Sequence, residues 1–195
     1  MEFTLTLIRG AYTECEKEGR FLGRLDHPAH KDGVEVLRGK ARAGEYPAAQ
    51  AVFSSPLIRS LESAYAIYPE ASITTLAQLA DFDYGALAGK SYSEVIADKL
   101  FEAWAFSKKL TALPGGELPY AFFSRCSQAL REIAGCARKY GLERISVVTH
   151  KLVISAMLQN RSMPGHPYCD YHPDYGGGFV TRHSDRGGLS VLKKL

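Results

Sequence analysis

Short apolar runs alternate with amphipathic segments along most of the chain. The apolar runs are rich in Val, Ile, Thr and Phe, as in strands buried on both faces of a sheet, and lie at Phe3 to Arg9, Gln50 to Ser54, Ile73 to Leu76 and Arg144 to Thr149. Apolar residues at helical spacing predict helices at Asp32 to Ala43, Pro56 to Tyr68, Tyr120 to Tyr140 and Leu152 to Leu158. The alternation predicts an α/β fold, a three-layer sandwich with helices on both faces of a mostly parallel sheet.

Length and composition fit one globular domain. The chain has 195 residues, of which 46% are hydrophobic and 23% charged, so it can bury a sizeable core. We expect a single domain over residues 1–195, with a helical insertion at about 91–120. The segment from about 160 to 195 is rich in Gly and Pro, and we expect an irregular tail there that ends in a last strand at Leu189 to Leu192.

Charge and hydropathy argue against several classes of partner. The net charge of +3 is spread along the chain without a basic run, which predicts no nucleic-acid binding. No apolar run approaches the roughly 20 residues needed to span a bilayer, and Glu2 stands where a secretory leader would be basic, so we expect no membrane partner and a cytoplasmic location. The cysteines, Cys15, Cys126, Cys136 and Cys169, are far apart, which predicts reduced thiols.

Polar residues follow three of the predicted strands. Ligands of parallel sheets bind at the carboxyl ends of the strands, which predicts that Arg9, Ser54 and Ser55, and His150 are neighbours in space. Two guanidinium groups that converge on one point, from Arg9 and Arg59, suit a phosphate or a carboxylate. Either arginine alone is more often a surface residue, so the expectation depends on the residues around it.

Several separated segments, in order, resemble the histidine phosphatase superfamily in its phosphoglycerate mutase-like branch. They are LIRGAYTECEKEGRFLGRLD, FSSPLIRSLESA, DFDYGALAGKSYSEV, PGGE and ISVVTHKLVI, and they cover roughly residues 3 to 160. The resemblance implies a phosphate pocket at the strand ends in which Arg9 and Arg59 bind the phosphoryl group. It also implies that His150 stabilises charge and that Asp81, in place of the usual Glu, is the acid that protonates the leaving oxygen.

The same resemblance shows departures at the pocket. Where the family has the histidine that attacks phosphorus, this chain has Gly10. Glycine has no side chain and so supplies no nucleophilic atom. Glu16 stands where the family has Asn, and its carboxylate repels phosphate unless it turns away, pairs with Arg9 or Arg20, or is protonated. Lys151 and Leu152 replace two glycines. We expect Gly10→His to restore a phosphorylated intermediate unless Tyr12 or Glu16 blocks it.

Substitutes for the missing group are a thiolate of Cys15, the phenol of Tyr12, and a water molecule activated by Asp81 or Glu16. Burial is the more common role for the cysteine, and the tyrosine, with an ordinary pKa near 10, needs strong activation. Water therefore accounts best for any slow hydrolysis.

Three hypotheses for function follow. The first is a member without the phosphohistidine nucleophile that binds a small anionic ligand, phosphorylated metabolites included, through Arg9, Arg59, His150 and Glu16. The second is an active phosphomonoesterase or mutase-like hydrolase that uses water or another side chain with Asp81 and His150. The third is a noncatalytic scaffold or regulatory protein; oligomers are compatible with each.

The tail also contains residues of types that can bind zinc: His166, Cys169 and His172, with Asp170 and His183 nearby. Their spacing matches no standard zinc module, and prolines interrupt the segment, so we expect surface residues, no metal and no cofactor.

Overall fold

The computed structural model describes residues 1–106, 111–159, 171–185 and 188–195 of the chain. Its strands are β1 (Glu2–Arg9), β2 (Ala51–Ser54), β3 (Ile73–Thr75), β4 (Arg144–Thr149), β5 (Gly178–Ser184) and β6 (Gly188–Lys194). Its α-helices are α1 (Glu14–Lys17), α2 (Lys31–Arg42), α3 (Ile58–Ile67), α4 (Tyr92–Ile96), α5 (Lys99–Phe106), α6 (Pro119–Tyr140) and α7 (Lys151–Gln159). The four strands and four helices read from periodicity are confirmed, with shifts of a few residues at their ends.

The strands of the described residues form one sheet in the order β3-β2-β4-β1-β5-β6. Its parallel pairs are β2 with β3, β2 with β4, and β4 with β1, where Arg9 lies opposite Thr149. β5 and β6 are antiparallel to their neighbours. The mostly parallel sheet is therefore confirmed, and β1 and β4 end side by side at its centre.

Helices cover both faces of the sheet. On one face, α6 and α7 pack against β1 and β4 through residues such as Ile133, Ile154 and Leu7, all fully buried. On the other face, α2 and α3 pack against Ile8 and Val148. Successive residues of a strand point to opposite faces, so each apolar run of β1 and β4 contributes to both cores. The three-layer expectation is confirmed.

The expectation of an irregular tail is wrong for Gly178–Ser184, which form β5. The expected last strand at Leu189 to Leu192 is confirmed and belongs to β6, which extends beyond it on both sides. β5 contains Thr181 and His183, two polar residues that interrupt the apolar pattern of this strand in the sequence, although both are buried in the structure. The Thr181 hydroxyl donates to the Leu5 carbonyl and the His183 ring stacks on Phe3, so pairing with β1 buries two residues that the sequence shows as polar.

The expected insertion at about 91–120 contains α4 and α5, and α6 begins at Pro119. Ser91 caps α4 through a capping box with Glu94. Within the described residues, no helix combines the length and apolarity that crossing a membrane requires.

Candidate functional site

A cavity of about 230 Å³ opens where β1 and β4 end. The residues expected there line it together: Arg9, Gly10, Glu16, Arg59, Asp81 and His150. Ser54 and Ser55, at the end of β2, are also buried beside it, since the Ser55 hydroxyl contacts His150. We call this space the strand-end cavity. Arg9 and His150 are 141 positions apart in the sequence, and they meet here because parallel strands end at one edge of the sheet.

Arg9 is held by three neighbours at the end of β1. One guanidinium nitrogen donates to the Pro173 carbonyl at 3.0 Å, and another lies 3.9 Å from a Glu16 carboxylate oxygen. The Tyr175 ring lies under the guanidinium at 3.5 Å, within cation–π range. The backbone of Arg9 is tied to the same segment, because its N–H donates to Gly177 and its carbonyl accepts from Gly176.

Glu16 faces the strand-end cavity and is fixed by its own helix. The Thr13 side chain accepts from the Glu16 N–H, and the other Glu16 carboxylate oxygen accepts from the Thr13 N–H at 2.9 Å, which completes a capping box at α1. Of the alternatives foreseen for this carboxylate, the structure shows the pairing with Arg9. Burial and the nearby Glu16 charge raise the pKa of Tyr175 to about 12, so the phenol stays protonated beside the carboxylate.

Arg59 lies in the first turn of α3 and its side chain is 3% exposed. Its terminal nitrogens donate to the Leu25 carbonyl at 2.9 Å and to the Gly23 carbonyl at 2.6 Å. One of them also lies 3.5 Å from Asp81. A buried guanidinium needs such acceptors, and together they fix the orientation of its planar fork.

Asp81 lies at the wall of the strand-end cavity, between Arg59 and His150. Arg125 of α6 positions its loop by donating to the Ala80 and Asp81 carbonyls. Burial raises the pKa of Asp81 to about 6, and the positive charge of Arg59 opposes this effect. The carboxyl group thus exchanges its proton near neutral pH, as a general acid or base requires.

His150 is buried and neutral. Its Nε2 lies 2.8 Å from the Ser55 hydroxyl and 3.4 Å from the Ser60 hydroxyl, and its Nδ1 lies 3.8 Å from Asp81. Burial, followed by the positive charges of the nearby arginines, lowers the pKa of His150 well below its usual value. The imidazole can therefore hydrogen-bond a ligand without adding positive charge.

Gly10 lies beside Arg9, and the space that its side chain would occupy is filled. A Cβ at this position would lie 2.8 Å from the Ser63 hydroxyl and 3.2 Å from the Ser63 Cβ. That hydroxyl accepts from the Ala11 N–H and donates to the Arg59 carbonyl. Ser63, rather than Tyr12 or Glu16, is therefore the first obstacle to a histidine at position 10.

The side chains weighed as replacement nucleophiles lie elsewhere. Tyr12 stacks on His30 and contacts the edge of Tyr175, and Cys15 contacts His27 at 3.6 Å; neither lines the strand-end cavity. Of the residues considered for zinc, His166, Cys169 and Asp170 lie outside the described residues. His172 is exposed, whereas His183 is buried in the sheet.

Two contributors to the site carried too little signal in the sequence, whereas a third, Lys151, stood among the departures at the pocket and lines the strand-end cavity as the first residue of α7. Tyr175 comes from the segment expected to be irregular. Ser63 lies within the motif FSSPLIRSLESA, but nothing there distinguishes it from another small residue on a helix. Only the three-dimensional packing shows their contacts with Arg9 and Gly10.

Comparisons with known proteins agree with this architecture. The family model described as the histidine phosphatase superfamily (branch 1) matches residues 5–174. Phosphoserine phosphatase 1 from Hydrogenobacter thermophilus is 24% identical over 157 residues, 78% of this chain and 73% of that protein.

Solved structures with the same fold include two with nearly complete overlap. The alpha-ribazole phosphatase from Shigella flexneri has a TM-score of 0.82 at 21% identity, covering 97% of this chain and 96% of that one. The phosphoglycerate mutase from Thermus thermophilus has a TM-score of 0.71 at 25% identity, covering 100% of this chain and 98% of that one.

Proposed function

The chain belongs to the histidine phosphatase superfamily (branch 1), and from this we propose that its strand-end cavity binds a small anionic ligand, phosphorylated metabolites included, without forming a phosphohistidine. In this proposal, which follows the resemblance of LIRGAYTECEKEGRFLGRLD to the family, Gly10 takes the position of the attacking imidazole. The observation that carries the proposal is the packing of Ser63 into the space beside Gly10, while Arg59 and His150 remain fixed at the same cavity.

The charges of the strand-end cavity support an anionic ligand. Its lining includes Arg9, Arg20, Arg59 and Lys151 against Glu16 and Asp81. Guanidinium and ammonium groups form the strongest hydrogen bonds to phosphate and carboxylate oxygens. His150 adds a neutral ring, and the Ser60 hydroxyl adds a further polar group at the cavity wall.

Calorimetric titration with inorganic phosphate tests the proposal. We expect the native chain to bind phosphate, Arg9→Met to weaken the binding because it leaves the Glu16 carboxylate uncompensated, and Arg42→Met, at an exposed position of α2, to leave it unchanged. Circular dichroism checks that each variant is folded. Absence of binding to the native chain, or an acid-labile phosphoryl adduct on it after incubation with a phosphodonor, would contradict the proposal.

A second candidate function is slow hydrolysis of phosphomonoesters by water, and the position of Asp81 favours it. Its carboxyl group has a pKa of about 6 and lies 3.5 Å from Arg59. In this reaction a water oxygen bonds to phosphorus, the bond from phosphorus to the ester oxygen breaks, and the proton of Asp81 goes to the departing alcohol. The attacking water gives one proton to the solvent, from which Asp81 is later reprotonated, and its oxygen and remaining proton stay in the inorganic phosphate.

A phosphatase panel distinguishes the two functions. Turnover that survives Gly10→Ala and disappears in both Asp81→Asn and Arg59→Ala would favour hydrolysis; phosphate binding without turnover would favour the first proposal. The stereochemistry at phosphorus identifies the route, since direct attack by water inverts a chiral phosphate ester, whereas transfer through a phosphoryl-enzyme intermediate retains its configuration.

The proposal includes a cytoplasmic location. Cys15, Cys126 and Cys136 are free thiols in the structure, and such thiols are typical of reducing compartments. Fractionation of cells that express the tagged chain tests this part separately.

A further inference from the structure

The charges that line the strand-end cavity are largely paired within the protein. Arg9 lies beside Glu16, Arg59 beside Asp81, and Arg20 beside Glu18 and Glu94. Of the lining cations, only Lys151 has no carboxylate within salt-bridge distance among the described residues. Arg20 already has two carboxylates beside it, so Lys151 is the lining cation of the described residues whose charge is left for a ligand.

Lys151 occupies a position that suits contact with a ligand. It is the first residue of α7, directly after His150, and its side chain lines the same cavity while remaining half-buried. Burial and the nearby charge of Arg9 lower the pKa of Lys151, which agrees with an ammonium group inside a positive environment. An anion placed between Lys151 and Arg9 would relieve this repulsion.

Glu16 is the carboxylate that pairs with Arg9, and moving its side chain out of the cavity would cost free energy. Its second carboxylate oxygen belongs to the capping box with Thr13, whose side chain is fully buried. Moving Glu16 out of the cavity would break the reciprocal cap of α1. The negative charge is therefore a permanent part of the wall that a ligand meets.

We infer that Glu16 and Lys151 match the strand-end cavity to an anionic group with a single negative charge, with Lys151 as its contact cation. The inference rests on the proposed anion binding and deepens it. The favoured ligand class comprises carboxylates, sulfate monoesters and phosphodiesters, whereas a doubly charged phosphate monoester meets the Glu16 and Asp81 carboxylates with one charge in excess.

Methyl sulfate and methyl phosphate form a matched pair for the test. They are nearly identical in shape, and at pH 8 the first carries one negative charge and the second close to two, because the second ionisation of a phosphate ester has a pKa near 6. Titration calorimetry of both at fixed ionic strength measures the preference for charge directly. We expect the native chain to bind methyl sulfate at least as tightly as methyl phosphate.

Two variants test the residues. Glu16→Gln keeps the cap, because glutamine also completes a capping box, and removes only the charge. We expect it to shift the affinity ratio toward methyl phosphate by about fivefold, as a charge interaction of about 1 kcal/mol at 4 Å in water implies. Lys151→Met should weaken methyl sulfate about tenfold, whereas Lys139→Met, at an exposed site near the end of α6, should change nothing.

The outcomes separate this inference from the function on which it rests. Tighter binding of methyl phosphate than of methyl sulfate by the native chain, an unchanged ratio in Glu16→Gln, or unaltered binding in Lys151→Met overturns the inference while anion binding stands. Failure of the native chain to bind methyl sulfate, methyl phosphate or inorganic phosphate overturns both.

Discussion

Gly10 differs from other glycines of the chain in what surrounds its missing side chain. A Cβ there meets the Ser63 hydroxyl at 2.8 Å, whereas a Cβ at Gly39, in α2, meets nothing within 4 Å. We expect Gly10→Ala to lower the free energy of unfolding by about 1–3 kcal/mol through overpacking. Gly39→Ala, the control, should raise it by up to about 1 kcal/mol because alanine is the better helix former. Urea unfolding at neutral pH measures both. Equal effects of the two substitutions would mean that Ser63 leaves room at Gly10.

Asp81 and His150 have opposite effects on stability in mild acid. The pKa of Asp81 is raised to about 6, so between about pH 4 and pH 6 the folded state binds a proton that the unfolded state has lost, which stabilises the fold as pH falls. The pKa of His150 is lowered in the folded state. Over the same interval the histidine is therefore protonated in the unfolded state and neutral in the folded state, which destabilises the fold as pH falls.

Asp81→Asn should therefore expose the effect of His150 alone. We expect the free energy of unfolding of this variant to fall more steeply than that of the native chain between about pH 6 and pH 4, by up to about 1.4 kcal/mol for each pH unit. Urea titrations at several pH values measure the slope. Glu70→Gln, at an exposed position, is the control and should follow the native curve. Parallel curves for the native chain and Asp81→Asn would show that this carboxyl group titrates normally.

At the scale of elements, α1 shows how a short helix can position a functional side chain. It has four residues, too few to be stable alone, and depends on its cap at the buried Thr13. We expect Thr13→Ala to reduce the free energy of unfolding by about 1–2 kcal/mol and to change the affinity for phosphate, because Glu16 loses the bond that orients it. Thr74→Ala, at an exposed position of β3, is the control. Loss of stability with unaltered phosphate affinity would contradict the orienting role of the cap.

The elements that periodicity predicted are those with an uninterrupted apolar face. β1 and β4 are buried on both faces and read as continuous apolar runs, and α6 carries its buried residues at helical spacing. β5 escaped prediction because Thr181 and His183 read as polar, although the Thr181 hydroxyl donates to the Leu5 carbonyl and the His183 ring packs on Phe3. Short helices such as α1 depend on caps and packing, which a window of helical spacing does not detect.

At the scale of the whole molecule, the segment before β5 completes the site built at the end of β1. A Cβ on Gly178 would overlap the Leu7 carbonyl oxygen, so β5 can approach β1 only with glycine there. We expect Gly178→Ala to cost about 3 kcal/mol, since the obstacle is backbone and cannot rotate away. It should also weaken phosphate binding, because the neighbouring Gly177 accepts the Arg9 N–H. Gly39→Ala again provides the control, and native-like stability of Gly178→Ala would contradict this packing.

The sequence placed Arg9, Arg59, Asp81 and His150 in one cavity because strand order and family motifs determine where strand ends meet. It did not determine which of these groups are already paired. Pairing depends on distances between segments remote in sequence, such as that from Arg9 to Pro173, and on burial, which sets the pKa of Asp81. Charge balance within the site thus belongs to the tertiary structure.

The packing of Ser63 beside Gly10 has a consequence for the order in which substitutions can be made. Ser63→Gly loses two hydrogen bonds, to the Ala11 N–H and the Arg59 carbonyl, but opens the space beside position 10. Gly10→His made first collides with an occupied volume. The two routes to the same double variant are therefore unequal. A lineage of this chain that acquired an imidazole at position 10 would pass more easily through the serine change, because the glycine change made first is opposed by the occupied volume.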